Sequence, residues 1–420
     1  PELRRSEETQ MPKLSRRGQL IVDRPPFPAY IAEHFARADQ LWDRELHPDG
    51  YISLCIAENK LHNDALIAQL DRYEVPARTL GYDAMTGNLD FRQRLATFMG
   101  RSFLGRTFDA EQLVVLAGAG TVLEMLCYAI CDPGDGVLIP TPSYAGFWAD
   151  LETRDELNIV PAHCVSEDEF RLTPARLDAA VATADCPVTA LLFTTPNNPL
   201  GKVYTRDEVL EIVDWTERRG IQLIVDEIYA LSVFGEREFV SVASLRAQLG
   251  DGVHIVWAFS KDFGASGLRC GVLISENQAV LEAVGGLAYW SACSGHTQPL
   301  LAELVADDAA VDEYIAGMRV KLGQAYRRVT SALDALGIAY LPAEAAFFLI
   351  CDLRSHLEAP TWEAERELWR RILEDANVNL TPGEACRINE PGFFRLCYAS
   401  ESGDSVAEAI ARLGRLLASC

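Results

Sequence analysis

The chain has 420 residues, 49% of them hydrophobic, which is enough for about two or three domains around a large core. Its 38 lysines and arginines stand against 61 acidic residues, and the formal net charge of -23 argues against a general binder of nucleic acid or of anionic membranes. No stretch approaches about 18 uninterrupted apolar residues, and residues 1–17 are charged throughout, so the sequence predicts a cytosolic protein without a membrane partner.

The N-terminal part begins with polar residues 1–24, which are predicted to form a mobile arm or a strap on the surface. A proline-rich run follows, and a helix is predicted over residues 29–46. Residues 51–60 then form a short apolar strand with a polar tip that contains Glu58. Without further context, Glu58 is more simply interpreted as a cap for a helix starting near Leu61 than as a catalytic group.

From residue 113 onward, strand and helix patterns alternate along the chain. Each predicted strand is short and apolar and ends in polar or turn-forming residues, and the helices include a capping box from Thr205 to Glu208. The alternation predicts an α/β fold, in which a parallel sheet carries helices on both faces and binds ligands at the carboxyl ends of its strands. The predicted strands are 113–116, 136–139, 188–193, 221–225 and 254–259. The side chains expected at their carboxyl ends are Thr121, Tyr144, Asn198, Asp226, Tyr229 and Lys261.

A turn of small residues, 117–121, joins the first of these strands to a helix. Its backbone N–H groups lie at the positive end of the helix, which favours a bound phosphate. The motif is neither G-x-G-x-x-G nor a P-loop, and turns of this kind also serve merely to reverse the chain. The turn alone leaves both interpretations open.

Lys261 follows the predicted buried strand 254–259 almost directly. Against apolar walls the charged form of a lysine loses hydration, so its pKa falls and its amine becomes a nucleophile toward a carbonyl. This behaviour is typical of a lysine that forms a Schiff base. The alternative is a lysine at a strand end whose ammonium group reaches solvent.

The pattern changes after residue 274. Helices are predicted over residues 276–336, followed by strands at 341–352 and 393–398 with an amphipathic helix, 362–376, between them. Arg395 is a lone arginine in the last apolar strand, where it needs an anionic partner. That partner is either a structural carboxylate or the carboxylate of a substrate.

Domain boundaries are predicted from this change of pattern. The sequence contains no long low-complexity linker and no internal repeat, so the units are expected to pack closely. The predicted parts are residues 1–75 as an N-terminal arm and part of a small domain, 76–300 as a large domain, and 301–420 as a C-terminal small domain.

Metal binding is not predicted. The eleven cysteines form no C-x-x-C pair, and the seven histidines show no H-E-x-x-H or similar spacing. Buried thiols and structural or exposed histidines are the simpler interpretation.

Taken together, these residues resemble those of fold-type I pyridoxal 5'-phosphate (PLP) enzymes of the class I/II aminotransferase group, with the closest similarity to 1-aminocyclopropane-1-carboxylate (ACC) synthases. The similarity spans residues 51–398 in the same order. It implies a large PLP-binding domain around a mainly parallel seven-stranded sheet, together with a smaller α+β domain. Its most specific motifs are Ser260-Lys261-Asp262-x-Gly264 with Arg269, Asn198-Pro199-Leu200-Gly201, Asp226-x-x-Tyr229 and Phe394-Arg395.

The resemblance implies a role for each site residue. Lys261 would carry PLP as the internal aldimine, and Asp226 would keep the pyridine nitrogen cationic. Arg395 would clamp the substrate α-carboxylate. Tyr82 would reach the phosphate from the neighbouring subunit, which implies a homodimer with shared active sites. Further contacts are expected from Tyr144 on the ring face, from Tyr229 and Asn198 at the ring 3-oxygen, and from Ala119, Gly120, Thr121, Ser260 and Arg269 at the phosphate.

One position departs from the family pattern. Family members commonly carry serine three residues before the lysine, whereas this chain has Ala258. A phosphate contact is lost there, so the phosphate is either held more loosely or another group compensates.

The reaction is suggested by residues 56–61, I-A-E-N-K-L, which look like the A-E-N-x-L stretch of ACC synthases. Glu58 would then lie near S-adenosylmethionine and favour its sulfonium, with Ala57 and Asn198 on the same substrate side as Arg395. The expected reaction is loss of methylthioadenosine by γ-elimination or substitution through an external aldimine and a quinonoid. It ends in ring closure to ACC or in a C–C bond to an external acceptor. The residues assigned to catalysis are Lys261, Asp226, Tyr229 and Glu58.

Two other classes of protein share parts of this pattern. The alternative is an aminotransferase that moves an amino group between an amino acid and a 2-oxo acid, because transamination begins with the same proton transfer. An aminotransferase-like transcription regulator would carry a basic DNA-binding module, and the residues before Tyr51 show no helix-turn-helix signal. A role in nucleic-acid binding is therefore not expected.

Overall fold

The structure, a computed structural model, describes residues 13–23, 25–74 and 76–418. Residues 1–12 and 24 of the predicted N-terminal arm lie outside the described residues. Within the arm, Arg16–Asp23 forms helix α1, which has no buried residue. Arg17 on this helix forms an ion pair with Glu156, with 2.8 Å between Nη2 and Oε1.

Helices alternate with strands through the middle of the chain and dominate much of its C-terminal part. After α1 they are α2 (Ala29–Arg37), α3 (Asn63–Leu70), α4 (Leu89–Met99), α5 (Ala119–Ile130), α6 (Phe147–Glu152), α7 (Pro174–Thr183), α8 (Arg206–Arg219), α9 (Phe259–Asp262), α10 (Gln278–Leu287), α11 (Thr297–Ala306), α12 (Asp308–Ala335), α13 (Trp362–Glu374) and α14 (Gly403–Leu417). The predicted capping box is present at the start of α8. Within the described residues, no helix has the length and apolar character needed to cross a membrane.

In the part of the chain that the structure describes, the strands form three sheets. In chain order they are β1 (Ile52–Ser53), β2 (Leu113–Leu116), β3 (Gly136–Thr141), β4 (Asn158–His163), β5 (Val188–Thr194), β6 (Gln222–Asp226), β7 (Val253–Ala258), β8 (Gly271–Ser275), β9 (Ala339–Leu341), β10 (Phe348–Asp352), β11 (Val378–Asn379), β12 (Thr381–Pro382) and β13 (Phe393–Cys397). The predicted strands of the large sheet agree with these bounds to within two residues.

The large sheet has seven strands in the order β2-β8-β7-β6-β5-β3-β4. Strand β8 runs antiparallel to both of its neighbours, and the other pairs are parallel. The mainly parallel seven-stranded sheet expected from the sequence is therefore confirmed.

Alternate residues of these strands enter two different apolar cores, because successive side chains of a strand point to opposite faces. On β6, for example, Leu223 and Val225 pack in one core and Ile224 in the other. Helices α4, α7, α8, α11 and α12 cover the first face, and α5, α6 and α10 cover the second. Helices on both faces explain why the central strands are mainly apolar.

A second, antiparallel sheet in the order β12-β13-β10-β9 carries Arg395. The N-terminal strand β1 pairs in parallel with β11, so residues near Ile52 belong structurally with residues near Val378. This smaller α+β unit confirms the expected fold class. The exact boundaries at residues 75 and 300 stay predictions.

Two predicted elements are wrong in extent. The helix expected over 29–46 ends at Arg37, because the chain then turns back: Trp42 N donates to Tyr51 O, and the Asp43 carboxylate accepts from Leu46 N. The strand expected over 341–352 is two strands, since residues 342–347 loop between β9 and β10 and include Ala346 at a φ of 63°.

Candidate active site

The predicted site residues follow the carboxyl ends of neighbouring strands of the large sheet. Asp226 is the last residue of β6, and Lys261 lies on the short helix α9 directly after β7. Because β6 and β7 are hydrogen-bonded neighbours, with Asp226 opposite Val256, the two side chains share one edge of the sheet. The parallel-sheet argument therefore places them correctly.

A cavity of about 650 Å³ opens at this edge, which is a size typical of a small-molecule site. Tyr82 and Thr121 are not among the residues that line it. The predicted residues that do line it are Ala57, Glu58, Ala119, Gly120, Tyr144, Asn198, Asp226, Tyr229, Ser260, Lys261, Arg269 and Arg395.

Lys261 occupies the floor of the cavity. Its Nζ donates a hydrogen bond of 2.7 Å to Ala57 O. Burial lowers the pKa of Lys261 to about 8, and the nearby Glu58 carboxylate opposes that shift. About a tenth of the amine is therefore uncharged at pH 7 and able to attack a carbonyl, far more than for a lysine with an ordinary pKa.

Asp226 is buried beside it, with 6% of its surface exposed. Burial raises the pKa of Asp226 to about 7, while a hydrogen bond from Ile228 N and the charge of Lys261 favour the ionised form. A cationic ring nitrogen placed against this carboxyl would favour ionisation further.

Arg395 is fully buried, with 1% exposure, in strand β13. Its Nη1 donates to Asn198 Oδ1 at 3.0 Å, and its Nη2 donates to Cys55 O at 2.8 Å and to Thr381 Oγ1 at 3.1 Å. Its Nε has no partner, and within residues 13–23, 25–74 and 76–418 no carboxylate pairs with it. The interpretation that a structural carboxylate neutralises Arg395 is therefore not supported, and this residue of the cavity lining keeps one unpaired buried donor.

Asn198 connects the two sides of the site. Its Nδ2 donates to the Tyr229 hydroxyl at 3.3 Å, while its Oδ1 accepts from Arg395. Burial raises the pKa of Tyr229 well above its ordinary value, so its hydroxyl stays protonated. The three side chains therefore form one hydrogen-bonded row across the cavity.

The turn before α5 forms a cradle for an anion. Gly118 precedes the helix at a φ of 102°, no side chain caps the helix, and its first residues, Ala119 and Gly120, line the cavity. A Cβ at Gly118 would collide with the Arg269 guanidinium, which itself donates to Ala117 O at 3.3 Å. The Thr121 hydroxyl donates to Ala117 O at 3.3 Å, within its own helical turn.

Ala258 ends β7 beside this cradle. It is fully buried and pairs with Gly271, where a Cβ would collide with Gly118. A serine hydroxyl at this position would lie near the turn, and Ala258 supplies none.

Glu58 lines the cavity and forms an ion pair with Lys60, whose Nζ lies 3.4 Å from Glu58 Oε2. Helix α3 starts at Asn63 without a side-chain cap, so the interpretation of Glu58 as a helix cap is wrong. The carboxylate acts instead on the charge of Lys261.

Tyr82 is 99% exposed and lies outside the cavity. Within a single chain the side chain has no part in the site. Its predicted contact depends on a second copy of the chain.

Some lining residues were not predicted. The proline-rich segment at 26–28, with Tyr30 and Ile31, forms one wall, and Glu124 and Asp150 form another. The proline-rich segment was visible in the sequence only as a helix breaker, and the acidic pair had no motif to mark it.

Comparison with known proteins decides the family. Residues 51–413 match the family described as aminotransferase class I and II. The chain belongs to this family. It is similar to 1-aminocyclopropane-1-carboxylate synthase 6 of Arabidopsis thaliana, at 36% identity over 87% of this chain and 78% of the relative. It is also similar to 1-aminocyclopropane-1-carboxylate synthase 5 of Oryza sativa subsp. japonica, at 37% identity over 88% of this chain and 74% of the relative.

Solved structures agree on the fold. A double mutant of Thermus thermophilus aspartate aminotransferase superposes with a TM-score of 0.79 at 23% identity, covering 97% of this chain and 100% of the other. The aromatic aminotransferase of Pyrococcus horikoshii gives a TM-score of 0.76 at 23% identity, covering 93% of this chain and 99% of the other. Both likenesses show the fold alone.

PLP is the cofactor of this class I and II family member, and the cavity fits it. A buried amine with a lowered pKa, a fully buried carboxyl, and an uncapped helix N-terminus beside Arg269 are the donor set that an aromatic aldehyde phosphate requires. Lys261 would hold PLP covalently, Asp226 would hold the ring nitrogen, and the turn at Gly118 would hold the phosphate. The protein is a PLP-dependent enzyme.

Proposed function

We propose that this enzyme acts on S-adenosylmethionine and releases methylthioadenosine from its γ-carbon. The observation that carries the proposal is the similarity to ACC synthases over most of the chain, joined to a cavity in which Glu58 lies near Lys261. The relatives' names give the reaction class, and the cavity supplies charged groups of the required sign.

Arg395 is proposed to bind the α-carboxylate of the substrate. Its guanidinium is held rigidly by Asn198, Thr381 and Cys55 O, and its Nε donor is unpaired. A substrate carboxylate would satisfy that donor and neutralise a buried positive charge. The substrate is thereby oriented with its Cα toward Lys261.

Lys261 is proposed to take the proton from the substrate Cα. PLP, when bound, supplies the electron-withdrawing ring that makes this proton acidic. The neutral amine of Lys261 is available because burial lowers its pKa to about 8. An ionised Asp226 would keep the ring nitrogen protonated, and Tyr229 and Asn198 would donate hydrogen bonds to the ring 3-oxygen. Tyr144 is proposed to lie on the ring face.

Glu58 is proposed to interact with the sulfonium group of S-adenosylmethionine. Glu58 lies within residues 56–61 and lines the cavity. The preceding residue, Ala57, accepts a hydrogen bond from Lys261 Nζ. A fixed negative charge favours a bound sulfonium in a partly water-excluded site. Glu58 therefore discriminates a sulfonium substrate from an ordinary amino acid.

The chain is further proposed to act as a homodimer with shared sites. Tyr82 and Leu80 are 99% and 85% exposed. Tyr289 and Trp290, which are 69% and 77% exposed, precede Gly295 in the chain, and a Cβ at Gly295 would lie 2.8 Å from Thr79 O, next to Leu80 in sequence. We propose that Leu80, Tyr82, Tyr289 and Trp290 contribute to the dimer surface, because large exposed aromatic and aliphatic side chains are typical of protein interfaces. Tyr82 would then reach the partner's phosphate.

Release of methylthioadenosine tests the proposal. The purified protein, saturated with PLP, is incubated with S-adenosylmethionine, and methylthioadenosine and ACC are quantified by liquid chromatography. Both products in equal amounts would indicate ring closure. Methylthioadenosine without ACC would indicate γ-elimination, and transfer to an external acceptor would then be tested by adding candidate nucleophiles and searching for a joined product by mass spectrometry. A failure to form methylthioadenosine would contradict the proposal in either version.

The alternative reaction, transamination, is measured with the same PLP-saturated protein and an ordinary amino acid in place of S-adenosylmethionine. An aminotransferase would convert an ordinary amino acid into a 2-oxo acid and change the visible absorbance of the bound cofactor in a single turnover. Such a change without methylthioadenosine release from S-adenosylmethionine would favour the aminotransferase.

A further inference from the structure

Asp150 lies at the phosphate end of the cavity and has no place in the roles given above. It belongs to helix α6, which packs against α5, and it lines the cavity together with Gly120. A Cβ added to Gly120 would lie 3.9 Å from Asp150 Oδ2. The carboxyl group therefore stands beside the helix N-terminus that forms the anion cradle.

No positive charge neutralises Asp150. Arg154, the nearest arginine in sequence, pairs with Glu124 instead, at 2.9 Å. In the described part of the chain, the Asp150 carboxyl receives no hydrogen bond and forms no ion pair. Burial raises the pKa of Asp150 to about 6, and the neighbouring Glu124 carboxylate adds to the shift.

An ionised carboxylate at this position would repel a phosphate dianion. The protonated acid would do the opposite, because its O–H is a donor of the same kind as a serine hydroxyl. A phosphate placed in the cradle itself favours the protonated form, since a like charge nearby makes ionisation costly. Ala258, across the cradle, contributes no hydroxyl.

We propose that Asp150, in its protonated form, donates a hydrogen bond to the phosphate group of PLP and compensates for the hydroxyl that Ala258 does not supply. Asp150 is thus a cofactor-binding residue, and PLP binding takes up a proton at this carboxyl. The inference concerns the cofactor and does not depend on which amino acid the enzyme uses.

Two substitutions separate donation from repulsion. Asp150→Asn keeps a donor of nearly the same shape, and Asp150→Ala removes it. We expect Asp150→Ala to raise the Kd for PLP by about tenfold or more, as expected for a hydrogen bond to a charged group, while Asp150→Asn stays within about threefold of the parent protein. Affinity is measured by titrating cofactor-free protein with PLP and following the visible absorbance.

Pyridoxal, which lacks the phosphate, is the matched control ligand. We expect both variants to bind pyridoxal as the parent protein does. An equal loss of affinity for pyridoxal and PLP would overturn the proposal, because the damage would then lie elsewhere in the cavity. PLP affinity that is unchanged or tighter in Asp150→Ala would overturn it as well, and so would equal weakening in both variants.

The pH dependence gives an independent readout. The affinity of the parent protein for PLP, divided by its affinity for pyridoxal, should fall as pH rises above about 6, the pKa of Asp150 in the free protein, and level off above the higher pKa of Asp150 in the complex. Asp150→Asn should lack that component. Identical profiles for the two proteins would contradict proton uptake at this carboxyl. The other titratable or charged groups around Asp150 are Glu124, Cys127, Tyr144, Glu152, Arg154, Asp155 and Arg269, all unchanged between the two proteins.

Discussion

The cavity has two halves that are built differently. The cofactor half comes from strand ends and turns of one sheet, at Gly118, Asp226 and Lys261. The substrate half is assembled from segments far apart in sequence, since Arg395 is held by Asn198, Thr381 and Cys55 O. A sheet edge fixes the first half by topology alone, whereas the second depends on how the smaller unit packs against the larger.

The difference has a physical consequence for substitution. In the cofactor half, the proposed phosphate cradle at Gly118 consists of backbone N–H groups, so loss of one side chain is expected to leave it in place. In the substrate half, one guanidinium collects several side-chain and carbonyl contacts, and its loss removes the whole arrangement. The following experiments test that contrast.

The largest effect is expected for Lys261→Ala. Removal of the amine eliminates both covalent attachment of PLP and proton transfer at Cα, so turnover should fall by at least about a thousandfold. Noncovalent PLP binding should persist, because the cradle at Gly118 is backbone. Product formation measured in stopped-time assays checks the first expectation, and equilibrium dialysis of PLP checks the second. The control is Lys202→Ala, because Lys202 pairs with Glu208 outside the cavity. Turnover near the parent value would refute the role of Lys261.

Arg395→Lys should act on the substrate half alone. Lysine retains the charge but cannot reproduce the fork of donors to Asn198, Thr381 and Cys55 O, so KM should rise by about a hundredfold with PLP affinity unchanged. Arg412→Lys is the matched control, since Arg412 is also buried and bound to backbone carbonyls away from the cavity. An equal rise of KM in both variants would mean that the effect is structural.

Glu58→Gln tests the electrostatic coupling between the substrate half and Lys261 in the cofactor half. The Glu58 carboxylate raises the pKa of Lys261 against the effect of burial, so its neutralisation should lower that pKa below about 8. In the parent protein, PLP capture by the uncharged amine should accelerate about tenfold between pH 7 and pH 9. In the variant the rise should occur at lower pH, as seen by stopped-flow absorbance. A midpoint that stays fixed, or that moves equally in Glu33→Gln, would contradict the coupling.

Ala258→Ser should give the smallest effect, a gain. A hydroxyl beside Gly118 and Gly271 adds one donor to the cradle, and PLP affinity should tighten by about fivefold. Titration of cofactor-free protein measures it, and Ala243→Ser, at a buried alanine outside the cavity, controls for burial of a hydroxyl. Weaker binding in Ala258→Ser would show that the site has no room for the side chain.

Sequence patterns predicted the cofactor half because its logic is local. A short apolar strand followed by Lys261, or by Asp226, already implies a side chain at the carboxyl end of a buried strand. The turn at Gly118 was visible for the same reason. The Thr121 hydroxyl donates to Ala117 O in this structure, and its contact with the phosphate stays a prediction.

The substrate half was only partly predictable. Arg395 was marked by a charge in an apolar strand, but its partners were not, because Thr381 is brought opposite it by strand pairing and Cys55 comes from the other end of the chain. Asp150 was missed because a single acid on a short amphipathic helix carries no signal of what it faces. The helix expected over 29–46 was overextended, since backbone contacts with Tyr51 outweigh local helix propensity after Arg37.

The parallel pairing of β1 with β11 sets an order of events during synthesis. Ile52 leaves the ribosome long before its partner Val378 exists, so the N-terminal strand must wait while the large sheet forms from the intervening chain. The carbonyl of Cys55, two residues past β1, meets Arg395 only after that wait ends. A nascent chain halted before Val378 is therefore expected to form the cofactor cradle at Gly118 but to lack the substrate site around Arg395.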